Sequence, residues 1–214
     1  MALLDERGVA AIVMGCNTSC AIAATYGWPE SRAPILDLID AAAEAAAAAG
    51  AHRIGVLATN ATAGSGAYGN AIRRRAPAAD VQEFGAPALV PLVEAGLIEG
   101  AQTREAVAEA CAQFTLPLDT LVLACSHYPL LDAHFAAALG AGVPRIDPAV
   151  AQAARAVAVV RSRNGAPKAE GGRTTYLTNG PLEPFRAAVI SICGPLGPSD
   201  QVEVVVGQVH ADRS

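Results

Sequence analysis

Aromatic side chains are scarce in this 214-residue chain, at 4%. So few rings exclude the stacking platforms on which single-stranded nucleic acids lie. Charge is scarce too, at 16%, and its balance is −5. That sign gives no attraction to a phosphate backbone, so no nucleic-acid partner is expected. The one basic run, Arg73-Arg74-Arg75, falls in an expected helix and reads as a solvated face. No CxxC pair occurs, and five cysteines is an odd number. This usage points to reduced thiols in a cytoplasm, not to a disulfide framework. The opening MALLDERG lacks the basic and apolar regions of a signal peptide. The longest helix-forming apolar run, at 41–50, is interrupted by Glu44, so no membrane span or membrane partner is expected.

Hydrophobic residues make up 52% of the chain, enough for a sizeable core. Short apolar runs alternate with helical stretches. Strands are expected over 9–14, 53–58, 80–84, 119–124, 173–178 and 202–206. They lack polar alternation, as strands covered on both faces do. Helices are expected over 34–50, 66–75, 86–98, 103–114, 129–139, 148–163 and 181–192. The first would begin near Pro34 and stop at Gly50. The alternation predicts an α/β fold, doubly wound around parallel sheets. NGAPKAEGG at 164–172 reads as a flexible loop, and PESRAP at 29–34 as a break and interdomain crossing.

Two cysteines occupy matching places: Cys16 in AAIVMGCNTS and Cys125 in DTLVLACSHYP. Each follows an apolar run and precedes small polar side chains, where a strand gives way to a helix. Moving a proton across an amino-acid Cα needs a base on one face and an acid on the other. Thiols suit both roles, since an unperturbed one titrates near ~8.5 and helix-start donors lower that. The alternative is a pair of buried core cysteines. Asn17, Thr18, Ser126 and His127 follow the thiols; they suit carboxylate binding or simple N-capping. His127 could also orient a thiol or assist proton transfer. Residues Gly64 to Gly69 match G-x-G-x-x-G, but a six-residue loop after Ala58 and the lack of a suitably placed acidic residue argue against a dinucleotide site. Cys125-x-His127 has no neighbours that complete a metal site, so no metal is expected. No lysine sits in a motif suited to a Schiff base, and no cofactor is expected.

At these residues the chain resembles the glutamate racemases, cofactor-independent enzymes of bacterial cell-wall synthesis within the aspartate/glutamate racemase superfamily. GCNTS at 15–19 resembles the family's first cysteine motif and ACSHYPLL at 124–131 its second, with Ser126 where Thr is usual. ATNATAGSGAY at 58–68 resembles its threonine-rich loop, and VPLVEAG at 90–96 a helix bearing a glutamate. The resemblance implies Cys16 and Cys125 as the acid–base pair, with Glu94 and His127 tuning them. It implies Asn17, Thr18, Thr59, Thr62, Ser126 and His127 as groups holding glutamate. It implies two α/β domains related by a pseudo-twofold, residues 1–33 with 149–214 and residues 34–148, and it admits a homodimer. Family members begin with a strand ending in Asp-Ser and a later Tyr-Gly pair. Here Met1 lies just before the first cysteine, which implies a first domain incomplete by about two βα units, ~60 residues. Two alternatives stay open: a shortened, inactive binding module, and a racemase of another acidic amino acid such as aspartate.

Overall fold

The structure is a computed structural model and describes residues 1–115, 117–164 and 172–205. The chain divides into two compact units, Met1–Gly165 and Ala166–Ser214.

In the first unit α1 (Ala2–Glu6) precedes β1 (Ile12–Val13), α2 (Asn17–Tyr26), β2 (Ile35–Leu36) and α3 (Leu38–Ala48). Next come β3 (Arg53–Ala58), α4 (Asn60–Ser65), α5 (Ala67–Arg75) and β4 (Asp80–Gly85). Then follow α6 (Leu89–Glu94), α7 (Ala101–Cys111), β5 (Thr120–Ala124), a 3-10 turn (Tyr128–Leu131), α8 (Asp132–Leu139), β6 (Arg145–Ile146) and α9 (Pro148–Asn164). Strands β4-β3-β5-β6 form one parallel sheet, and β1 pairs with β2, also in parallel, in another. The second unit holds β7 (Thr175–Thr178), α10 (Leu182–Cys193) and β8 (Gln201–Val204), a βαβ unit whose strands pair in parallel. The α/β class expected from the sequence is the one observed.

The four-stranded sheet is buried on both faces because β3 after Arg53 and β5 after Thr120 carry no polar side chain. Alternation sends Ile54, Val56, Ala58, Val122 and Ala124 to one face, against α3 and α5. Leu57, Leu121, Leu123 and Cys125 go to the other, against Val107, Tyr128 and Phe135. The sulfur of Cys125 therefore caps a packed layer. No helix of the described residues is long and apolar enough to cross a membrane.

Several expected boundaries move. The strand expected over 9–14 is paired only at Ile12–Val13, because its partner β2 has two residues. That partner takes the start of the helix expected from Pro34, and Asp37 instead caps α3 by accepting from the Ile39 N–H at 2.9 Å. The six-residue loop expected after Ala58 is largely the helix α4, capped by Thr59. The helix expected over 86–98 holds only Leu89–Glu94, and β6 was not expected at all. The flexible loop at 164–172 lies almost wholly outside the described residues, as does Val206, the last residue of the strand expected over 202–206.

Candidate active site

Register brings the expected residues together. Ala58 pairs with both Gly85 and Ala124, so β4, β3 and β5 end level with one another. Thr59, Cys125 and the loop leading to α6 thus leave the sheet at one carboxyl edge, where open α/β sheets place ligands. Gly85 is required there: a Cβ on it would stand 2.1 Å from Asn60 Oδ1 and 3.1 Å from the Asn60 backbone.

Cys125 is 6% exposed. Burial pushes its thiol up, while the His127 and Tyr128 backbone N–H groups favour the thiolate, and the charges of Cys16 and Glu94 oppose it. Its Sγ lies 3.6 Å from His127 Nδ1, and His127 Nε2 lies 3.5 Å from Glu94 Oε1. Cys125, His127 and Glu94 form a chain of contacts from a buried sulfur to an exposed carboxylate. Tyr128 braces its base by sharing its one hydroxyl proton between the Ala58 and Ala86 carbonyls, each at 2.9 Å. Ser126 is exposed in the turn between the strand and the 3-10 turn.

Cys16 is the N-cap of α2, exposed and in an extended conformation. Two residues on, the Thr18 side chain meets Thr59 at the end of β3, the strand beside the one that leads into Cys125. Asn17 and Thr18 open the helix, but their side chains do not cap it. Asn17 is buried and its Oδ1 accepts from the Tyr68 hydroxyl. Thr18 Oγ1 lies 3.1 Å from both Thr59 Oγ1 and Thr62 Oγ1, and the last two stand 3.0 Å apart. Thr59 also accepts from the Thr62 N–H, so it caps α4 while joining this triangle. Three hydroxyls carry three protons and more acceptor sites than they fill, so the cluster can turn donors toward an anion.

The structure thus joins Cys125, His127 and Glu94 in one chain of contacts, and Thr18, Thr59 and Thr62 in another. Two contributors were not anticipated. Tyr68 lay inside the quoted ATNATAGSGAY string, but its hydroxyl could be read only once α5 was folded back by Gly66, whose φ is +65°. Gln152, 2% exposed on α9, donates to the carbonyls of Leu36 at 2.6 Å and Met14 at 3.3 Å, tying down the strands before Cys16 and Asp37. Nothing in a run of alanines around it signals that role. Among the described residues no cluster of three His, Cys, Asp or Glu side chains could hold a metal.

Comparison with known proteins identifies the chain's relatives. The chain is 41% identical over 157 residues to the glutamate racemase of Gloeobacter violaceus, covering 73% of this chain and 59% of the relative. It is 34% identical over 201 residues to the glutamate racemase of Desulforudis audaxviator, covering 89% and 73%. The first relatives it matches are longer: the chain spans 59%, 52% and 48% of three of them. The Francisella tularensis glutamate racemase, solved with D-glutamate, superposes with a TM-score of 0.84 at 23% identity, covering 95% of this chain and 76% of that one. The family model for Asp/Glu/hydantoin racemases matches residues 1–156. The chain belongs to the Asp/Glu/hydantoin racemase family.

Proposed function

We propose that this protein interconverts L- and D-glutamate by proton transfer at Cα, supplying D-glutamate for peptidoglycan. The observation that carries the reading is that Thr18, two residues after Cys16, meets Thr59 and Thr62 at the end of β3, level with the end of β5 where Cys125 emerges, so thiols that follow two separate parallel sheets border one edge. Family membership and relatives named as glutamate racemases support the substrate. The Francisella structure with D-glutamate is consistent with it.

In this mechanism one thiolate removes the α-proton and the opposite thiol delivers a proton to the other face, and the roles exchange with direction. His127, with Glu94 behind it, passes a proton to or from Cys125. Asn17, Thr18, Thr59, Thr62 and Ser126 hold the carboxylates and amine, and the hydroxyl donors among them stabilise charge that builds on the α-carboxylate. No metal or organic cofactor enters the scheme. The same proposal covers a small-molecule substrate and admits a homodimer, which light scattering checks.

Cys16→Ser and Cys125→Ser test it. Each is expected to lose racemisation followed by optical rotation, by at least ~10³-fold in kcat, the order seen when a unit of the reacting machinery is removed. Full turnover in either variant would sink the two-thiol assignment. Turnover of aspartate in preference to glutamate would overturn the substrate.

A further inference from the structure

We infer that Tyr68 is a positioning residue, which locks the Asn17 side chain so that its amide NH2, not its carbonyl, faces the substrate carboxylate. The choice of ligand rests on the racemase reading above; the lock itself does not.

Tyr68 is fully buried on α5, and its hydroxyl donates to Asn17 Oδ1 across 51 residues of sequence. A phenol brings one proton. Burial, with the charges of Cys20, Asp37, Glu83 and Cys125, raises its pKa well above the ordinary tyrosine value, so the proton stays in place at working pH. The amide can satisfy that donor only with its oxygen. Among the described residues no side-chain or backbone oxygen accepts from Asn17 Nδ2. The nitrogen, with two hydrogens, is the end of Asn17 left for a ligand beside Cys16. A rotated amide would present an oxygen to a carboxylate and repel it. The lock also reaches the threonine cluster: Tyr68 follows Ser65, whose Oγ donates to the Thr62 carbonyl at 2.6 Å and accepts from the Ala67 N–H at 3.2 Å. One buried side chain thus ties the helix after Cys16 to α5, which follows directly on α4 with its Thr59 cap and Thr62.

The test combines side-chain NMR with kinetics on the full chain. With 15N-asparagine labelling, the Nδ2–H pair of Asn17 is the signal lost in Asn17→Ala. Tyr68→Phe keeps the ring and is expected to shift or broaden that pair. It is expected to raise KM for glutamate about 10-fold with kcat within about 2-fold, the size of one net hydrogen bond. Asn17→Asp keeps an acceptor for Tyr68 but loses the donor, and should raise KM at least as much. In an Asn17→Ala background Tyr68→Phe should add no further rise, because it acts through Asn17. An unmoved Asn17 signal in Tyr68→Phe, or KM losses that multiply in the double variant, would overturn the proposal. If Tyr68→Phe fails to fold, glutamate titration of the unsubstituted chain decides: Asn17 Nδ2–H signals must move, and movement elsewhere without them overturns it. A chain that neither turns over glutamate nor responds to it sinks the racemase reading, while the Tyr68→Phe spectrum still judges the lock.

Discussion

The two thiols share a sequence setting and differ in structure. Cys125 leaves a strand that has a neighbour on each side, and its sulfur sits on a packed apolar layer. Cys16 leaves a two-residue strand with two backbone pairings to β2, and its thiol is exposed. Cys125 is supported by its own sheet. Cys16 is supported by contacts borrowed from elsewhere: Gln152 on α9, Tyr68 on α5 and the threonines of the β3–α4 turn. The same chemical group can thus be held by regular structure or by a few polar tethers. The second arrangement concentrates its dependence on single side chains.

Four measurements would break or sharpen that contrast. The largest effect is expected at the Cys125 relay. His127→Asn should lower kcat by ~10²-fold, the range of a positioned acid–base group. Glu94→Gln should cost far less, since the carboxylate is exposed and lies 3.5 Å away. Equal losses would mean that the pair acts as one unit.

Alkylation comes next. At neutral pH iodoacetamide should modify Cys16 at least ~10-fold faster than Cys125, since burial both shields the latter and keeps it protonated. Raising the pH should narrow the gap as Cys125 ionises. Activity in the direction that uses Cys125 as base should rise with pH over the same interval. Peptide mapping by mass spectrometry reads the modification, and equal rates at neutral pH would erase the difference between the two stations.

The tethers of Cys16 predict a stability effect. Gln152→Leu removes donors to the Met14 and Leu36 carbonyls and should cost ~1–2 kcal/mol in urea unfolding. The Gln152 Oε1 atom is buried without a partner, which offsets part of that loss. An unchanged midpoint would show that the two-residue strand holds itself.

The smallest effect concerns alkaline pH. Cys20, behind Cys16 on α2, has its thiol pushed by burial from 9.0 up to about 12, with Asp37 adding to the rise. The folded state therefore disfavours the thiolate. Stability is intact below the unfolded value near 9 and is lost as pH rises toward about 12. Cys20→Ala should flatten the decline of the melting temperature across that window. Parallel decline in both proteins would place the alkaline sensitivity elsewhere.

Much of the fold was legible beforehand, because apolar runs such as RIGVLA and TLVLA can be satisfied only by burial on both faces. Strands β3, β4 and β5 and the helices α5 and α7 fell close to where that pattern put them. The errors cluster where local preference was overruled. The residues after Ala58 were expected as a six-residue loop, yet the Thr59 cap made Asn60–Ser65 helical. Ile35–Leu36 looked like the first turn of a helix, yet pairing with Ile12–Val13 drew it into a sheet. Pairing across 23 residues has no local signature.

The candidate site divides in the same way. Which residues belong to it was readable from the chain, because Cys16, Cys125, His127 and the threonines are reactive or polar groups set at the ends of apolar runs. How they are arranged was decided only in three dimensions. The level ends of β4, β3 and β5, the hydroxyl triangle of Thr18, Thr59 and Thr62, and the hold of Tyr68 on Asn17 all join residues distant in sequence. Hydrogen bonds depend on distance and direction at the ångström scale, and a linear sequence carries neither. The amino-acid order determined the chemical groups and the elements that bear them; the tertiary structure decided that one thiol is sheltered and the other open.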